Sequence, residues 1–184
     1  MNASPSSVSM PVADHGKLLA LLRQSRERLF ASLAGVDDEQ SRRRPAEGCW
    51  SVLDCVEHIA GAEVFMLRLV REQRRPRPVG APNREEFFLQ RMVDRTVKAE
   101  SPEGGRPRGR FANLAEARER FEMARGETIG FVETNTHDLR ATEVTHPLPI
   151  FGAVSAYEML IIMAKHAERH ALQIEETKSV LGLQ

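Results

Sequence analysis

Histidine is the residue type in this chain whose placement most invites chemistry. Six occur among 184 residues, and His166 and His170 stand four apart. On a helix such a pair lies one turn apart on one face, with Cβ atoms about 5 to 6 Å from each other, close enough to grip one ion. His58 shares a helical row with Cys55, Ala62, Phe65 and Leu69, an apolar row expected to face a bundle interior, where facing helices assemble metal sites. A third nitrogen can therefore reach the pair from across a core. Spacing alone leaves a plainer reading open beside this one, because an i, i+4 histidine pair also serves at a surface and a single histidine on an apolar row also serves as a hydrogen-bonded core residue. His15, His137 and His146 fall at helix ends or in loops. The HxxxH spacing is not the HExxH of a zinc protease: Ala167 follows the first histidine and Glu168 comes one place later, so that enzyme's general base is missing.

Other side chains carry weaker signals. Cys55 precedes His58 by three residues on the same row and is read as a small buried residue rather than a ligand. Gln173, three residues beyond His170, is the candidate to hydrogen-bond a ligand imidazole, whereas Glu168 points off that row. Glu63 lies about 140° round the helix from His58 and is expected in solvent. Trp50, just before a helix start, is expected to staple its loop to the core. The arginine runs at 42–44, 71–77 and 106–110 alternate with Pro and Gly rather than aromatics and are read as solvated loops.

These residues need helices to hold them, and the composition supplies helix formers: Leu, Ala, Arg and Glu dominate, while aromatics are 5%, an all-α signature. Amphipathic periodicity and caps predict four helices of about 20 residues each. They run from about Asp14, its expected cap, to Leu33; from Ser51 to Glu72; from Asn113 to Thr134; and from Ser155 to Val180, before Gly182. The pairs Ser51/Asp54, Asn113/Glu116 and Ser155/Glu158 have capping-box spacing. Residues 73–112, broken by RRPRP, VGAP and SPEGGRPRGR, form a long crossover, with a short extra helix expected from about Arg84 to Lys98 behind an Asn83/Glu86 cap. Its apolar face must cover the bundle or a partner subunit. The expected fold is a four-helix bundle with one long connection between helices two and three. Residues 1–13 are expected as a flexible tail and 14–184 as a single domain.

Lys plus Arg and Asp plus Glu both count 26, so no net field favours nucleic acid or anionic membrane. No stretch has the length and apolarity of a membrane span or the pattern of a secretion signal. Cys49 and Cys55, separated by five residues, match neither a disulfide framework nor a CxxC pair, and free thiols in the cytoplasm are expected.

The segments RPAEGCWSVLDCVEHIAGAE (44–63) and HPLPIFGAVSAYEMLIIMAKHAERHALQIEETK (146–178) resemble the DinB-like superfamily of metalloenzymes, which includes YfiT-type proteins and bacterial thiol transferases. The resemblance rests on a histidine eight residues after the tryptophan of a WS motif, then HxxxHxxQI on the last helix. It implies a four-helix bundle whose nickel or zinc is held by His58, His166 and His170, with open positions for substrate. An ion held by three neutral nitrogens keeps its full charge, so a bound water is acidified or a bound thiol becomes a thiolate. Two chemistries are thus implied, hydrolysis and transfer of a low-molecular-weight thiol to an electrophile. With no carboxylate evident as a base, thiol transfer is the first expectation; a non-catalytic metal-binding or dimerisation bundle is the other class. The expected partners are a small-molecule substrate, such as a cellular thiol, and a second copy in a homodimer. Ala62, Phe65, Met159, Ile162 and Met163, about one or two turns from the histidines, are expected as apolar walls of the site.

Overall fold

A computed structural model describes residues 10–97 and 100–183. Four long helices dominate it: α1 (Val12–Ser32), α3 (Val52–Glu72), α5 (Leu114–Thr134) and α6 (Ala156–Leu181), with the short α2 (Asp38–Arg42) and α4 (Glu85–Arg91) between them. The local signals act where the sequence puts them. Ser51 and Ser155 each accept the N–H of the residue three places on, and Asp54 and Glu158 accept in return, closing both capping boxes. Asn113 caps α5 through Glu116 N–H. Gly182, left-handed at φ 64°, ends α6.

Helix α1 departs from expectation. It starts at Val12 behind Pro11, and Asp14 does not cap it. Its carboxylate instead pairs with Arg140 at 2.7 Å, and Met10, placed in the expected tail, is buried. Residues 1–9, the rest of that tail, lie outside the described residues.

Helix α1 packs on α5 and α6, and α3 on α5 and α6, so the chain-consecutive pairs α1/α3 and α5/α6 sit diagonally across the bundle. The core divides into two apolar clusters. One gathers Leu18, Leu22, Met66, Val70, Val132, Leu160 and their neighbours; the other gathers Leu29, Val56, Ile59, Phe121, Ala171 and Ile174. Between them lies a polar layer. Arg125, fully buried, donates from Nε and Nη2 to the two oxygens of Glu63 at 2.7 and 3.0 Å. Its remaining hydrogens reach Ser25 Oγ and the carbonyls of Leu22 and Met163, so all five guanidinium N–H groups have acceptors. Thr128 Oγ1 donates to Glu63 Oε1 at 2.7 Å. Glu63 is therefore a core residue and not a solvated one: it lies on the buried row Ile59, Glu63, Met66, Val70, where an apolar helix face carries one charge matched by Arg125.

The 73–112 crossover holds α4, which packs on α6 with Phe88 fully buried. Its expected extension toward Lys98 is not helical through Val97, and Lys98 lies outside the described residues. Local and tertiary bonds stop the helix. Asp94 accepts Thr96 N–H and Oγ–H, while Arg169 takes the carbonyls of Met92, Asp94 and Val97. Asn83 receives Glu85 N–H rather than pairing with Glu86. A small antiparallel sheet not expected from the sequence joins β1 (Arg75–Pro76), β2 (Thr142–Thr145) and β3 (Ala153–Ser155), and its paired Val144 and Val154 enter the core. Several of the arginines read as solvated belong to this region: Arg75 pairs with Glu143, and Arg77, nearly buried, reaches Glu158. Among the described residues no helix is long and apolar enough to cross a membrane.

Candidate metal centre

The Ser51 cap starts α3 so that His58 falls in its second turn, and α6 presents His166 and His170 one turn apart. Because α3 and α6 are neighbours in the bundle, the three side chains meet. His166 Nε2 lies 3.1 Å from His58 Nε2 and 3.1 Å from His170 Nε2. His58 and His170 are buried and His166 nearly so.

Hydrogen bonding fixes one tautomer. His58 Nδ1 lies 2.6 Å from the carbonyl oxygen of Gly105. A carbonyl only accepts, so Nδ1 carries the proton and Nε2 turns a bare lone pair toward the other two rings. Burial lowers the pKa of His58, opposed by that carbonyl. Burial also drives His166 and His170 well down, and neighbouring imidazoles add to the shift in both. All three are therefore neutral at pH 7. At most one of the two 3.1 Å contacts at His166 Nε2 can be a hydrogen bond, because that nitrogen offers either one N–H or one lone pair. A shared cation satisfies all three Nε2 atoms, and nitrogens bound at about 2.0 to 2.1 Å stand about 3.0 to 3.4 Å apart. The donor set and its spacing thus fit a divalent ion, and imidazole suits a transition metal. Among the described residues these three histidines form the group of His, Cys, Asp or Glu able to share an ion.

The surroundings correct several expectations. Trp50 packs beside the core as expected, and also lays its ring 4.8 Å from His58 and 6.0 Å from His170, nearly parallel to the latter. Gln173 does not reach an imidazole: its Oε1 accepts from Arg95, and His170 Nδ1 is buried with no partner among the described residues. Glu168 turns away, as expected, to Lys165 and Arg28. Cys55 is buried outside the group, its thiol pKa pushed up by burial. Met159, Ile162 and Met163 are buried in the first apolar cluster, while Phe65 sits at the surface beneath Arg68. Trp50 and the Gly105 backbone flank the histidines. Trp50 had a sequence signal in its place one residue before the cap. Gly105, 47 residues from His58, had none.

The wider relationships agree with this architecture. YuaE of Bacillus subtilis, an uncharacterized protein, is 20% identical over 161 residues, which cover 87% of this chain and 96% of that one. YfiT of Bacillus subtilis, described as a probable metal-dependent hydrolase with an unusual four-helix bundle topology, superposes with a TM-score of 0.61 at 15% identity, over 100% of this chain and 95% of its own. A conserved protein from Enterococcus faecalis superposes with a TM-score of 0.64 at 15% identity, covering 94% of this chain and 99% of that one. The four-helix bundle protein TT2238 gives 0.59 at 21% identity, over 88% and 98% of the two chains. With residues 21–174 matching the model of the DinB superfamily, the chain belongs to that superfamily.

Proposed function

We propose that this protein is a metal-dependent enzyme that holds one nickel or zinc ion through His58, His166 and His170 and activates a low-molecular-weight thiol for transfer to an electrophile. The observation that carries the metal reading is the convergence of three neutral Nε2 atoms, with 3.1 Å from His166 to each of the others. Bound there, the ion supplies Lewis acidity and lowers the pKa of a thiol or water that reaches it.

The chain's own residues favour the thiol. Base-assisted hydrolysis wants a free carboxylate within hydrogen-bond reach of the attacking water. Carboxylates close in sequence are engaged: Asp54 accepts Ser51 N–H and pairs with Arg44, Glu57 accepts three backbone N–H groups, Glu63 pairs with Arg125, and Glu168 pairs with Lys165 and Arg28. His58, with Nδ1 committed to Gly105, presents only a lone pair and does not donate a proton from Nε2. Trp50 shields two of the rings, and a soft sulfur donor suits either metal. The described cysteines are both free, Cys49 exposed and Cys55 buried.

Hydrolysis is the second reading, favoured by the description of YfiT, whose fold this chain shares. Titrating cobalt-substituted protein with small thiols separates the two. Sulfur-to-metal charge-transfer absorption, with thiol-dependent consumption of an electrophile, is the expected result. No such band with any common cellular thiol, together with metal-dependent ester or amide hydrolysis, reverses the assignment. The expected homodimer is tested by sedimentation. Phe87, half exposed on α4 beside buried Phe88, supports it as an apolar contact residue.

A further inference from the structure

We infer that Glu57 is a positioning residue for the histidine cluster, acting through the backbone of the crossover rather than by touching the imidazoles. Its side chain is buried although it immediately precedes His58 on α3 and points about 100° away from it. The carboxylate accepts three successive backbone N–H groups: Arg108 N–H to Oε1 at 2.7 Å, and Gly109 and Arg110 N–H to Oε2 at 3.0 Å each. Three consecutive amides turn toward one anion only where the backbone curls into a nest, and Gly109, at φ +72°, supplies the left-handed residue that the curl needs. The Arg110 guanidinium lies 3.9 Å from the same carboxylate at the rim.

What this anchors is the short 3₁₀ turn Glu103–Gly105, three residues upstream of the nest. That turn is where the Gly105 carbonyl takes His58 Nδ1–H at 2.6 Å. The connection runs from Glu57 to the nest, from the nest to Gly105, and from Gly105 to His58, returning to the residue next to its start. It ties the tautomer of His58 to a carboxylate on the same helix. Without the anchor the segment loses these three bonds to α3, and the Gly105 carbonyl that keeps the proton on Nδ1 loses its support. Partners that orient a ligand imidazole in this way commonly set metal affinity by about tenfold to a hundredfold.

The affinity part of this inference rests on the metal reading of the cluster; the tautomer part does not. The test compares wild type, Glu57→Ala and Glu57→Gln. Histidine side-chain nitrogen NMR on the metal-free proteins is followed by titration with Zn²⁺ alone. Wild type is expected to show His58 with its proton on Nδ1. In Glu57→Ala the Nε2–H form appears and Zn²⁺ affinity falls about tenfold or more, with helix content retained. Glu57→Gln, which keeps one carbonyl oxygen for the nest, falls between. A carboxylate that merely anchored a loop would lower thermal stability and leave the tautomer and the affinity as in wild type, and that outcome overturns the inference. If Glu57→Ala fails to fold, the same two readouts on Glu57→Gln decide. Wild type that binds no Zn²⁺ would sink the metal reading, while the tautomer comparison would still uphold or overturn the positioning role.

Discussion

Two groups of buried polar side chains lie on α3 five residues apart, and they are built on opposite principles. Around Glu63 every donor finds an acceptor: Arg125 spends all five N–H groups and its charge is matched. In the His58 cluster three Nε2 atoms of like character meet instead, and His170 Nδ1 has no partner among the described residues. A satisfied network costs its desolvation and returns a specified arrangement, here the register of α1, α3, α5 and α6 between two apolar clusters. A cluster that can complete only one of its two nitrogen contacts returns little until a cation arrives. Burial alone therefore does not mark a candidate site; the mismatch within the cluster does.

Breaking the closed network gives the largest expected effect. Glu63→Ala leaves Arg125 charged and unpaired in the core, so denaturant unfolding should show a loss of about 3 to 5 kcal/mol. The double change Glu63→Met, Arg125→Leu should recover most of that loss. If Glu63→Ala were as stable as wild type, the polar layer would not be holding the core together.

His146 offers a buried imidazole outside both groups, with Nδ1 accepting Leu148 N–H at 3.0 Å. Burial holds its pKa down to about 4, whereas the unfolded chain takes up the proton near pH 6.5. Its folded pKa lies below its unfolded one, so the stabilising contribution is whole above about pH 6.5 and is lost as pH falls toward about 4, a span worth up to about 3 kcal/mol. In His146→Gln the stability curve between those pH values should flatten. An unchanged acid limb would show that this imidazole is not held neutral by the fold.

Opening the cluster should change binding far more than folding. His166→Ala removes the nitrogen between the other two, and metal affinity should fall at least about a hundredfold by titration. Unfolding free energy of the metal-free protein should stay within about 1 kcal/mol of wild type, because at most one of the two lost contacts is a hydrogen bond. Full metal occupancy in this variant would remove the proposed site. The smallest effect belongs to the cap of the helix that carries the pair. Ser155→Ala should cost about 1 kcal/mol in thermal unfolding and leave metal affinity unchanged, since the histidines lie about three turns from that end.

Where a residue's fate depends on near neighbours in the chain, it was legible beforehand. The starts of α3, α5 and α6 and the end of α6 follow from caps that act within four residues. Pairing His166 with His170 needs only helix geometry. Glu63 carried a readable signal too, since Ile59, Met66 and Val70 place it on an apolar row, but comparing it with His58 alone pointed it toward solvent. Asp14 and the extra helix depart from the local rules because partners distant in sequence, Arg140 and Arg169, claim groups that those rules assign to helix ends.

By itself, then, the chain's order of residues determined a predominantly helical bundle, its main helix ends and a histidine pair on one face, because helical period and capping are local interactions. Only the tertiary structure decided that His58 meets that pair with Nε2 bare, that Glu63 finds Arg125 and that Trp50 and Gly105 flank the cluster. Each of these requires groups far apart in the chain to come within hydrogen-bond or ring-contact distance. Closing such contacts depends on how the helices pack, and no local spacing carries that information.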